Sequence, residues 1–166
     1  MTRKLALTVL LAASPLIAQD PAACPLHAEH SRHAEFDARG DRVMGFDHTR
    51  TTHHFLLRAD GGVIQVAAAD PADGATVDQI RSHLTEVARA FAAGDFAMPA
   101  AIHGRVLPGV EAMIEHRTEI VYTLRESERG GEVVIVTANE AVRASVHAFL
   151  SAQIEDHRTG DPLSVQ

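Results

Sequence analysis

The sequence predicts an α+β protein made of two ββα units. These form a four-stranded antiparallel sheet with two helices on one face. Three observations carry this. Two pairs of apolar, β-branched-rich runs each flank a glycine-rich turn, which is a hairpin pattern. Each pair is followed by a segment whose apolar residues recur at helical spacing. The two units also recur along the chain: their Gly-Gly pairs lie 69 residues apart and their Gly-Asp pairs 66 apart, as a duplication with small insertions would leave them.

The elements follow in order. Residues 1–18 read as a secretory signal peptide, with basic Arg3 and Lys4, an apolar run from Leu5 to Ala13, and small Ala18 at the expected cleavage point. That run is too short to span a bilayer, which takes roughly 20 residues. Residues 19–50 are a polar, histidine-rich N-terminal segment with no helical or strand period. The domain proper covers residues 51–160. "TTHHFLLR" and "GVIQVAAA" are its first strand pair, joined through "ADGG". Asp73 or Thr76 is the predicted N-cap of a helix from about Val77 to Ala92, with Val77, Ile80, Leu84, Val87 and Phe91 on one face and Gly94 as its stop. "EIVYTLRE" and "GEVVIVTA" are the second strand pair. Asn139 then caps a second helix with the stripe Val142, Val146, Phe149, Leu150 and Ile154, ended by Gly160. Between the units, residues 93–109 read as a long irregular loop that covers part of the core, and Met113 and Ile114 fit a short helix.

Composition narrows the function. The formal net charge is −7 and no basic run is present, which argues against nucleic acid and against an anionic membrane surface as partners. No second apolar stretch would keep the chain in a membrane once the signal is removed. With one cysteine the chain can form no internal disulfide. Eleven histidines are several times the usual share, about 2% of residues. The chain has no Gly-x-Ser-x-Gly elbow, no phosphate-binding loop, no His-Glu-x-x-His pair and no Cys-x-x-Cys-His haem motif.

Two histidine sets are candidate metal ligands. In "CPLHAEHSRH", Cys24, His27, His30 and His33 follow one another every three residues, and thiolate with imidazole suits Cu(I) or Zn(II). In the domain, His83 and His147 sit beside the apolar stripes of the two helices. A pseudo-twofold relation would bring them together at the helix seam. His103 in the long loop and a strand histidine, His54, would complete the site. Adjacent His53 and His54 must face opposite sides of the sheet. Three imidazoles with an open position would suit a catalytic metal and four a storage site. The alternative for each histidine is a hydrogen-bonded, half-buried structural residue, and for the N-terminal set a solvated tail.

Two resemblances add to this. "CPLH" resembles the Cys-Pro-Met-His start of short heavy-metal-binding segments found with bacterial copper-efflux proteins, with Leu26 in place of the methionine. "MGFDHTRTTHHFLLRADGGVIQV", "IRSHL", "GDF", "PGVEAM" and "DHRTGD" resemble a small family of exported bacterial proteins without an assigned function. Relatives are sometimes labelled aspartate carbamoyltransferase. The chain is too short for that enzyme's two domains and lacks its phosphate loop. The resemblance implies a common fold and no particular active site. The resulting expectation is a periplasmic or secreted protein that binds copper or zinc for sequestration or delivery. The alternatives are a metal-dependent hydrolase or lyase on a small substrate, and a non-catalytic module that binds a ligand or a protein.

Overall fold

A computed structural model describes residues 25–166, with side chains from residue 31 onward except Arg32. The predicted signal peptide and Cys24 lie outside the described residues, as do the side chains of His27 and His30. The fold is α+β. Four antiparallel strands, β1 (Thr51–Arg58), β2 (Gly61–Ala68), β3 (Ile120–Ser127) and β4 (Gly130–Thr137), lie in the order β1-β2-β4-β3. The strand runs read from the sequence match these to within one residue. The central pair, β2 with β4, sets Ile64 opposite Val133 and Gly62 opposite Ile135.

Two long helices cover the sheet. Asp73 caps α2 (Gly74–Ala92) by accepting from the Thr76 amide, and Asn139 caps α5 (Glu140–His157) by accepting from the amides of Ala141 and Val142. Leu84 of α2 comes down on Gly131 and Leu150 of α5 on Gly62. Both glycines share the sheet face of buried Ile64, Val66, Val133 and Ile135, so both helices pack there. Two short helices, α3 (Ala97–His103) and α4 (Val110–Glu115), occupy the region between the units. Residues 93–109 are therefore partly helical: Phe96, Ile102 and Leu107 are buried and anchor the segment to the core.

The N-terminal segment differs from its reading as period-free. It holds α1 (Pro25–Met44), twenty residues long. Among the described side chains, its buried positions are Phe36, Gly40 and Met44, spaced by four. This stripe is one residue wide, much narrower than the face of an ordinary amphipathic helix, and its middle member is a glycine. Hydrophobic periodicity has almost nothing to register there.

The duplication is visible in matching contacts. The Ala68 amide donates to the Arg129 carbonyl, and 69 residues on the Thr137 amide donates to the Asp60 carbonyl. Gly61 (φ 150) lies under the Ile135 carbonyl and Gly130 (φ 155) under the Val66 carbonyl. Strands correspond at an offset of 69 residues. The helices, matched through Leu84 and Leu150, correspond at 66.

Candidate functional site

The duplication decides where the predicted histidines go. At the helix offset, His147 corresponds to Arg81 and not to His83. Arg81 donates to the carbonyls of Ser127 (2.6 Å) and Gly130 (3.4 Å), at the β3–β4 turn. His147 Nε2 lies 2.9 Å from both Arg58 O and Gly61 O, the matching atoms of the β1–β2 turn. It is a latch on a hairpin. His157, ten residues further along α5, is about 15 Å away by helical rise. The expected meeting of His83 with His147 at the helix seam does not occur. His54 is also elsewhere: on the outer face of β1, its Nδ1 lies 2.9 Å from the Asp161 carboxylate, which also accepts from the Phe55 amide.

His53, its neighbour, faces inward with Phe55 and Leu57. It stacks on His157, with ring centroids 5.8 Å apart and planes 18° from parallel. His157 in turn meets the edges of Phe36 (4.9 Å) and His103 (5.3 Å). His83 stands edge-on to Phe46 at 5.6 Å, and Phe46 stacks on His53. So two of the predicted domain ligands, His83 and His103, join two other histidines, His53 and His157, around one cavity of about 50 Å³. Met44 at the end of α1 and Met98 of α3 line the same space, among Ile64, Val66, Phe91 and Ile102.

Burial sets the electrostatics. Loss of water around the rings pushes His53 and His83 down to about 4 and His157 to about 3, with smaller contributions at His53 and His157 from neighbouring imidazoles. These rings are neutral at pH 7. The Nε2 of His53 is shut off from solvent and has no hydrogen-bond partner, as is the Tyr122 hydroxyl. An unpaired buried polar atom carries its full desolvation cost, about 1–3 kcal/mol. His103 is instead fixed on both sides: Nδ1 donates to Asp156 (2.7 Å) and Nε2 lies 2.8 Å from the Gln153 side-chain amide.

The same offsets show what packing alone would place here. His53 corresponds to Tyr122, His83 to Phe149 and His157 to Phe91. These counterparts, Phe91 from the first unit and Tyr122 and Phe149 from the second, form an aromatic cluster, with Phe91 5.9 Å from Tyr122 and 5.7 Å from Phe149. Imidazoles thus stand at three aromatic core positions. The alternation of strand residues could have chosen His53 over His54, because Phe55 and Leu57 share its face. The cluster as a whole shows only when the two units are aligned.

A polar pocket of about 260 Å³ adjoins the cavity and shares Met44, His53 and His157 with it. Asp37 and His48 line this outer pocket, and His33 sits beside Asp37 at 3.8 Å. Among the described residues, Asp41, Asp47 and His48 are the one trio of carboxylate or imidazole donors within 4.8 Å of one another. Their bonds have local duties: Asp41 accepts from the His48 amide, and Asp47 caps the 3-10 turn His48–Arg50 through Thr49. Comparison with protein-family models, with curated proteins and with solved structures finds no match to this chain.

Proposed function

We propose that the protein binds a soft transition-metal ion in the imidazole-lined cavity, for sequestration or delivery outside the cytoplasm. The observation that carries this is chemical. Three neutral imidazoles stand at positions whose counterparts in the duplication are Phe91, Tyr122 and Phe149. Packing has no need of nitrogen there, whereas a metal ion has.

The donor chemistry favours Cu(I) over Zn(II). Zinc sites use three or four imidazole, thiolate or carboxylate ligands. Among the described residues, no three such donors around the cavity lie within 4.8 Å of one another. Cu(I) accepts thioether sulfur and suits soft ligands. His53 and His83, with Met44 or Met98, would supply two imidazoles and a thioether. The stacked faces of His53 and His157 turn ring surfaces toward each other, so His157 supports and orients His53. Cys24, His27, His30 and His33 would capture the ion and pass it inward.

The test is an anaerobic Cu(I) titration of the mature protein against a competing chromogenic chelator, alongside Zn(II). One tightly held Cu(I) is expected, weakened at least tenfold in His53→Ala and in the Met44→Leu, Met98→Leu double variant, whose leucines keep the packing. Cys24→Ser and His27→Ala should lower the capture rate and leave the folded site intact. Failure to compete for Cu(I), or binding indifferent to His53, refutes the reading.

A further inference from the structure

A second concave site lies on the far side of Phe36. It is a surface pocket of about 580 Å³ lined by three arginines, Arg39, Arg105 and Arg158, by the carboxylates Glu155 and Asp156, and by His33 and His103. A protein of net charge −7 gathers three guanidinium groups around this one hollow. Asp156 is already engaged, accepting from Arg105 Nη2 (2.7 Å) and from His103 (2.7 Å). Arg39 is tethered through Nε to the Ile102 carbonyl (2.9 Å), a bond that uses one of its five N–H donors.

Arg158 adds an independent observation. It closes α5 with φ 53 and ψ 39, and among the described residues it is the one non-glycine with positive φ. At the ends of α1, α2 and α3 the left-handed residue is Gly45, Gly94 or Gly104, with φ of 81, 79 and 67. Glycine is the ordinary choice at such a helix end, and any other residue strains the backbone. At the end of α5 a strained arginine stands where glycine would be easier, and its side chain lines the pocket.

We propose that this pocket binds an oxyanion, the carboxylate or phosphate group of a small molecule, with Arg39, Arg105 and Arg158 as its cationic wall. Guanidinium groups suit both, because their paired N–H groups match two oxygens at once. The three arginines of this wall take no part in the metal reading.

The test titrates metal-free mature protein separately with inorganic phosphate and with acetate, at constant ionic strength held by sodium chloride, and follows backbone and arginine Nε–H resonances. Saturable shifts confined to residues 33–39, 103–105 and 155–159 are expected for at least one of the two. Phosphate alone identifies a phosphate site and acetate alone a carboxylate site. Arg158→Gly should weaken binding at least fivefold with no fall in thermal midpoint, since glycine relieves the strained backbone. Arg39→Gln should weaken it similarly. The proposal is overturned if neither anion saturates, if the shifts follow ionic strength whatever the anion, or if Arg158→Gly binds as the parent does.

Discussion

Mild acid should unfold the metal-free protein, and the imidazole cluster sets how steeply. His53 and His83 are lowered from 6.5 to about 4 and His157 to about 3, all three mainly by burial. In the unfolded chain each ring takes up a proton near pH 6.5; in the folded chain each resists until pH 4 or below. The folded state therefore binds fewer protons between these values. The stability these rings confer is fully present above pH 6.5 and is lost as pH falls toward 4. Each proton contributes a slope of about 1.4 kcal/mol per pH unit, so three give at most about 4 kcal/mol per unit near pH 5. By pH 4.5 the loss reaches about 8 kcal/mol, comparable with the whole stability of a typical domain, about 5–15 kcal/mol. Acidic residues with lowered pKa, such as Asp161, act in the same direction but only below about pH 4, so the two windows separate.

The assay is urea unfolding followed by circular dichroism at several pH values from 7.5 to 5, with chelator present. His157→Phe gives the sharpest control. It installs the ring that the duplicated half carries as Phe91, and Phe36 and Phe55 already surround the site. The variant should fold, and its stability should fall less steeply with acid, by about 1.4 kcal/mol per pH unit. A parent slope below that of one proton, or an unchanged slope in His157→Phe, would refute the picture of three neutral, largely desolvated imidazoles.

Two further outcomes follow from the duplication. His147→Ala should lower stability by about 1 kcal/mol, by losing the latch on the β1–β2 turn, and leave Cu(I) uptake unchanged; chelator competition and urea unfolding of one sample measure both. Gly130→Ala should prevent folding, because its Cβ would lie 2.3 Å from the Val66 carbonyl oxygen at φ 155, and expression with circular dichroism reports it.

What the sequence disclosed and what it concealed divide along physical lines. Strands and long helices were legible because their burial is periodic: Phe55 and Leu57, or Leu84 and Val87, mark a face by themselves. Helix α1 was not, because Phe36, Gly40 and Met44 make too thin a stripe to stand out from the polar residues around them. The site was half legible. His83 and His103 were chosen for their types and arrive at the cavity; His54 and His147 were chosen on the same grounds and do not. Residue type cannot separate an imidazole that fills an aromatic core position from one that latches a turn carbonyl, since both lie beside apolar stripes at helical spacing. Alignment of the two units separates them. His147 falls on Arg81, a polar residue bonded to the two corresponding carbonyls of the other hairpin, whereas His83 falls on Phe149, a buried ring. Where one of the two related clusters carries imidazoles in place of three hydrocarbon-rich rings, the substitution forgoes apolar burial; the His53 nitrogen has no partner, and neither has the hydroxyl of its counterpart Tyr122. The forgone burial at all three positions, rather than the unpaired atom alone, is the physical argument behind the proposed ligand, and it rests on comparing the protein with itself.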